Sequence, residues 1–165
     1  MTLHSHNIGF ISTRFAGTDG VSLETAKWAT VLERMEHKCC YFAGECDREA
    51  NQSHVVPEAF YRHPEIDKLN QQAYSGSWEI TKEARKEHPE MAHTHKDFFS
   101  MYVRPPQMTR RVHELKEYFK EQLYEFARRF ELAILIIENA VTIPLNLPLG
   151  LAITEFIAET GYPTI

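Results

Sequence analysis

The segment Asn7-Ile-Gly-Phe-Ile-Ser-Thr-Arg-Phe-Ala-Gly-Thr-Asp-Gly20 carries the strongest structural signal in the chain. Residues 7–13 form a short apolar run that predicts a buried strand, and a loop with two glycines and an aspartate follows. Ser22 can then cap a helix, and the run 37–44 predicts a second strand. This order of strand, glycine loop, helix and strand is typical of the βαβ opening of a parallel sheet.

The composition limits the classes of protein to which the chain can belong. Its 165 residues suffice for one domain with a real core, and 43% hydrophobic with 25% charged residues is ordinary for a globular protein. The net charge of −5 argues against a dedicated nucleic-acid binder. The N-terminus lacks the pattern of a signal peptide, and three cysteines fit a reducing compartment, so we expect a cytoplasmic location.

The remaining elements follow from hydrophobic periodicity. The first helix should place its apolar residues largely on one face, and these are Leu23, Ala26, Val31, Leu32 and Met35. A long helix is predicted over 108–129, and the run 132–138 is apolar at consecutive positions, as in a strand covered on both faces. A loop over 139–147 and a helix over 148–160 should follow.

The middle of the chain, residues 53–106, has a different character. It is polar and rich in histidine, shows no clear strand, and allows helices around 64–74 and 79–87. The sequence therefore predicts an α/β fold, a Rossmann-like parallel sheet flanked by helices, with a mostly helical insertion over 53–106.

The last residues, Thr164 and Ile165, read as the opening of a further buried strand. Natural domains rarely end inside a core strand, because termini usually lie in exposed chain. We therefore expect residues 1–165 to be the N-terminal domain of a larger protein.

No metal site is expected from the sequence. His88, His93 and His95 match no zinc-ligand spacing, and Cys39 and Cys40 should face opposite sides of a strand. No nucleophile and base can be paired from residue order alone, so the catalytic residues are left unassigned.

Ligands of open parallel sheets bind outside the carboxyl ends of the strands. Three segments should meet there, namely 17–20, 45–47 and the run from Glu138 to Asn146. In the first, Gly17, Thr18, Asp19 and Gly20 precede a helix N-terminus, an arrangement that favours phosphate or another anion. The loop matches neither the dinucleotide fingerprint nor a Walker loop, and a tight turn that serves only the backbone explains the glycines about equally well.

Glu138 and Asn139 end a buried strand, an unusual place for polar side chains unless they face a cleft. We expect both to hydrogen-bond a polar substrate, although Asn139 could instead satisfy the loop backbone. Asn146 is a third candidate for ligand contact, but its position before a helix favours a capping role.

Two segments resemble the N-terminal half of retaining, two-domain GT-B glycosyltransferases of group 1. They are Ile8-Gly-Phe-Ile-Ser-Thr-Arg-Phe-Ala-Gly-Thr-Asp-Gly-Val-Ser-Leu-Glu24 and Glu138-Asn-Ala-Val-Thr-Ile-Pro-Leu-Asn-Leu-Pro-Leu-Gly-Leu-Ala152. The ending Glu159-Thr-Gly-Tyr-Pro-Thr-Ile165 is similar to the same enzymes, whereas the middle of the chain matches them poorly.

The resemblance implies transfer of a sugar from a nucleotide-sugar donor to an acceptor, with no cofactor and no obligatory metal. Gly17, Thr18, Asp19 and Gly20 would lie near the donor phosphates, and Glu138, Asn139 and Asn146 would lie on the acceptor side. Most nucleotide contacts would come from a C-terminal domain, so this piece alone should be inactive. The full-length protein could also associate peripherally with a membrane.

Two other functions stay open. The chain could be a non-catalytic α/β binding or interaction module, such as one half of a two-chain transferase. A small enzyme of flavodoxin-like topology that holds a phosphate-bearing ligand at Gly17–Ser22 is a weaker alternative.

Overall fold

The computed structural model describes residues 5–73 and 106–165 of the chain. The helix predicted at 79–87 and the cluster of His88, His93 and His95 lie outside the described residues.

The described part is an α/β structure built on a four-stranded, fully parallel sheet. The strands, in chain order, are β1 Asn7–Ile11, β2 Arg14–Phe15, β3 Lys38–Ala43, β4 Glu45–Cys46, β5 Ser53–Val55 and β6 Ile134–Ile137. The four-stranded sheet has the order β5-β3-β1-β6, and β2 and β4 form a separate two-stranded sheet. Strands β2 and β4 pair in parallel beyond the ends of β1 and β3. Thr164 adds a parallel bridge to Leu135 on the free edge of β6. The predicted Rossmann-like parallel sheet is confirmed.

Helices cover both faces of this sheet. They are α1 Gly20–Arg34, α2 at 64–73, α3 Pro106–Arg129 and α4 Leu147–Thr160, with 3-10 turns at Ala50–Gln52 and Pro57–Ala59. Helices α3 and α4 pack together on one face, and α1 lies on the other. None of the helices in the described ranges has both the length and the apolar character needed to cross a bilayer.

The sheet separates a large core from a small one. Phe42, Phe119, Phe126 and Phe156 belong to the large core beneath α3 and α4. The smaller core beneath α1 contains, among others, Phe10, Phe15, Tyr41 and Ile136. Cys39 enters the small core and Cys40 the large one, which confirms their opposite orientation.

Helix α1 differs from its prediction in two respects. Its N-cap is Asp19, whose carboxylate accepts from the amide of Ser22, so Ser22 lies inside the first turn and is buried. Its buried residues are the small ones, Ser22, Thr25 and Ala29. Of the larger apolar residues that were expected on the buried face, Leu32 is partly buried against the small core, whereas Leu23, Val31 and Met35 are exposed.

The predicted insertion also begins differently. The expectation that 53–106 contains no strand is wrong at its start, because Ser53–Val55 pairs in parallel with β3 as an edge strand. The strand is too short, and too polar at Ser53 and His54, to show a hydrophobic pattern. The helix expected around 64–74 is confirmed over 64–73.

Gly44 allows a close approach between two backbone segments. A Cβ atom on Gly44 would lie 1.8 Å from the backbone nitrogen of Phe60. We predict that Gly44→Ala destabilises the fold by about 3 kcal/mol or more, because the obstacle is backbone that cannot rotate away. Urea denaturation measures this change. Gly20→Ala is the matched control, since no heavy atom lies within 4 Å of its Cβ position, and an equal loss in both variants would contradict the prediction.

Candidate ligand-binding site

A cavity of about 390 Å³ opens at the carboxyl ends of β1 and β6. It is lined by Ser12, Thr13, Arg14, Asp19, Gly20, Val21, Tyr61, Asn139 and Leu145. In the sheet β1 lies between β3, which follows it in the chain order of this sheet, and β6, which comes last. The cavity therefore occupies the topological switch point, where open α/β sheets bind their ligands.

The glycine loop combines a tight turn with part of the cavity wall. Gly17 has a φ of 73°, a conformation that favours glycine, and its amide donates to the Asp47 carboxylate at 2.8 Å. Gly20 starts α1 and lines the cavity, whereas Thr18 is exposed and is not part of the lining. The loop thus brings two of its four predicted residues, Asp19 and Gly20, to the cavity.

Asp19 is the most highly connected side chain of the site. Its carboxylate accepts hydrogen bonds from the amide of Ser22 at 2.9 Å, from the Ser22 hydroxyl at 3.0 Å and from Arg14 at 2.8 Å. Partial burial acts to raise the pKa of Asp19, but the Ser22 hydrogen bonds and the charge of Arg14 outweigh it. The pKa therefore lies below its ordinary value, and Asp19 is ionised at neutral pH.

Arg14 joins the glycine loop to the end of the neighbouring strand. It lies opposite Glu45 in the β2–β4 register, and its Nε donates to that carboxylate at 2.6 Å. This hydrogen bond is the main cause that raises the pKa of Arg14. Sequence reasoning placed 45–47 near the loop but missed Arg14, because its role depends on a two-residue strand pair that shows no periodicity.

The structure gives Glu138 and Asn139 different surroundings, and only one of them lines the cavity. Asn139 lines the cavity with a left-handed φ of 61°, which asparagine tolerates better than most residues. Glu138 is half-buried, follows Ile136 in the strand alternation toward α1, and is absent from the lining. Burial raises the pKa of Glu138, and the negative charge of Glu24 on α1 adds to the effect.

Asn146 has the capping role that its position favours. Its side chain accepts from the amide of Leu149 at 3.1 Å and donates to the carbonyls of Glu58 and Ala59 at 3.0 and 3.1 Å. The residue is 2% exposed and does not line the cavity. It therefore ties the start of α4 to the turn at Pro57–Ala59.

Tyr61 is a cavity residue that sequence reasoning did not find. It follows the turn at Pro57–Ala59, and its ring packs edge-on against Phe60 with centroids 4.9 Å apart. Within the described ranges, neither the Tyr61 hydroxyl nor the Asn139 amide has a hydrogen-bond partner. The Tyr61 hydroxyl and the Asn139 side-chain amide are therefore neutral polar groups of the lining that a ligand can engage. No sequence motif marks Tyr61, because only the path of the chain after β5 brings it here.

In residues 5–73 and 106–165, no three His, Cys, Asp or Glu side chains come close enough together to hold a metal ion. Comparison of the chain with protein families, with curated proteins and with solved structures gives no match. The glycosyltransferase resemblance therefore stays a prediction from the residues quoted for it.

We predict that Asn146→Asp destabilises the protein by about 2 kcal/mol or more. Aspartate caps helices as well as asparagine does, but it cannot donate to the carbonyls of Glu58 and Ala59 and would bring a buried negative charge against them. Chemical denaturation of the variant and the wild type gives the difference. If Asn146 acted only as a cap, Asn146→Asp would be neutral.

We further predict that the ionised Asp19 contributes to stability in a pH-dependent way. Because its pKa is lowered by folding, the contribution is complete above the unfolded pKa of about 4 and is lost as the pH falls through the folded pKa. The excess stability of the wild type over Asp19→Asn should therefore shrink between pH 6 and strongly acidic pH. Denaturant titration across this range measures it, with Glu121→Gln on the exposed face of α3 as control. A difference between wild type and Asp19→Asn that is independent of pH would contradict the prediction.

Proposed function

We propose that this chain is the acceptor-side domain of a glycosyltransferase that uses a nucleotide-sugar donor, and that the cavity at the switch point holds the acceptor. The observation that carries the proposal is the position and lining of this cavity, between the glycine loop and the loop after β6. The resemblance of both loops to group 1 enzymes supports the same assignment.

The lining suits a sugar or another hydroxyl-bearing ligand. Such ligands present hydroxyls at their edges and C–H groups on their ring faces, so a site for them needs both neutral polar groups and apolar surface. Tyr61 and Asn139 offer the former, while Val21 and Leu145 supply the latter. The volume of about 390 Å³ lies in the range of small-molecule sites.

The proposal extends to the donor side. Most of the nucleotide, including its phosphates, would be bound by a second domain with no obligatory metal, and Gly17, Thr18, Asp19 and Gly20 would border the donor side of the cavity without holding those phosphates. Glu138 would then contact the acceptor only at the rim, since its side chain is turned toward α1. A cytoplasmic location with peripheral membrane association of the whole protein belongs to the same proposal.

Titration of the protein with neutral methyl glycosides, followed by calorimetry or by NMR, tests this function. We expect Tyr61→Phe and Asn139→Gly each to weaken glycoside binding by about 2- to 10-fold, the loss of one neutral hydrogen bond. Glycine is used at 139 because it keeps the left-handed conformation. Tyr124→Phe, on the α3 surface that faces α4, is the matched control.

A non-catalytic interaction module is the second candidate, and the outer face of α1 favours it. Leu23, Trp28, Val31 and Met35 are each 41–55% exposed on one helix, an apolar surface of the kind that partners cover. Glycoside binding that is lost in the Tyr61 and Asn139 variants supports the transferase domain. A wild-type protein that binds no glycoside supports the module instead.

A further inference from the structure

The glycine loop contains the three kinds of group that usually hold a phosphate. These are a main-chain amide in a glycine turn, the amides at a helix N-terminus and a guanidinium group. In this chain one group of each kind already holds a carboxylate of the protein. The Gly17 amide donates to Asp47 at 2.8 Å, and the Ser22 amide donates to Asp19 at 2.9 Å.

The guanidinium group of Arg14 completes this internal occupation. It donates to Glu45 at 2.6 Å through Nε and to Asp19 at 2.8 Å through a terminal nitrogen. One positive charge thus faces two negative charges, and the group of three carries a net charge of −1. The remaining nearby arginine, Arg48, lies 3.6 Å from Asp47 and donates to the carbonyl of Ser22. Among residues 5–73 and 106–165, no lysine lines the cavity.

The arrangement is held by backbone structure. The β2–β4 pairing sets Arg14 opposite Glu45 and Phe15 opposite Cys46, and the amide of Asp47 donates to the carbonyl of Phe15. The carboxylates of Glu45 and Asp47 are thereby presented to the loop from a fixed register. An incoming phosphate would have to displace them and would meet their negative charge.

We infer that the cavity binds an uncharged, hydroxyl-bearing ligand and excludes phosphorylated or carboxylate-bearing ones, with Asp19 as the residue that sets this specificity. The inference rests on the proposed acceptor pocket and names the chemical class of its ligand. Asp19 lines the cavity with 35% of its side chain exposed, so its carboxylate can accept a ligand hydroxyl hydrogen while it repels an anion.

Asp19→Asn is the decisive variant, because asparagine caps a helix as well as aspartate and releases the second interaction of Arg14. The probes are inorganic pyrophosphate and a neutral methyl glycoside, each titrated into the wild type and the variant by calorimetry. We expect no saturable pyrophosphate binding by the wild type at millimolar concentration. We expect the pyrophosphate affinity of Asp19→Asn to be at least about tenfold higher, since a like charge a few ångströms away is removed.

Glu121→Gln changes the net charge by the same amount on the far side of α3 and should leave pyrophosphate binding unchanged. Glu45→Gln is a second variant that relieves the same repulsion from the neighbouring strand, and it should also gain pyrophosphate affinity. Circular dichroism of each variant checks that the fold is retained.

Wild-type protein that binds pyrophosphate as tightly as both Asp19→Asn and Glu45→Gln would overturn the inference. A gain in pyrophosphate affinity in either variant, together with glycoside binding by the wild type, supports it. A gain in pyrophosphate affinity without any glycoside binding would support the exclusion of anions but refute the acceptor pocket. The two titrations therefore distinguish a failure of the proposed function from a failure of this inference.

Discussion

The central position of β1 is the constraint on which the rest of the structure depends. The strand pairs with β3 on one edge and with β6 on the other, and its side chains alternate between two cores. Because both neighbours are parallel to β1, all three strands end at the same edge of the sheet. The loops that follow β1 and β6 then face each other there, and this juxtaposition creates the cavity.

The charged groups at this edge of the sheet stabilise the fold as well as forming part of the cavity lining. Arg14, Asp19 and Glu45 connect the end of β1, the start of α1 and the end of β3 through charge-assisted hydrogen bonds. A loop tied at three points is preorganised, so a ligand need not supply the free energy to order it. The same bonds also engage the guanidinium group of Arg14, which would otherwise attract an anion. Stability of the loop and selectivity for uncharged ligands thus have one physical origin.

The parts that the sequence predicted are those where a pattern is long and local. The apolar runs of β1, β3 and β6 and the capping position of Asn146 follow from burial and helix chemistry alone. Asp19 and Ser22 are both good caps one turn apart, so only the path of the loop decides between them. The cavity residues Arg14 and Tyr61 escaped prediction because tertiary contacts, which leave no periodic signal, bring them to the site.

The parallel order of the sheet has a consequence for folding while the chain is being synthesised on the ribosome. The hydroxyl of Ser12 meets the carbonyl of Glu138, a residue 126 positions later in the chain. At a synthesis rate of about 5–20 residues per second, the β6 side of β1 stays unpaired for roughly 6 to 25 s. An apolar strand with one open edge is a template for wrong pairing during that interval. In a hairpin-built domain of equal size each strand would find its partner sooner, so the parallel order of this sheet leaves an apolar strand edge unpaired for longer during synthesis.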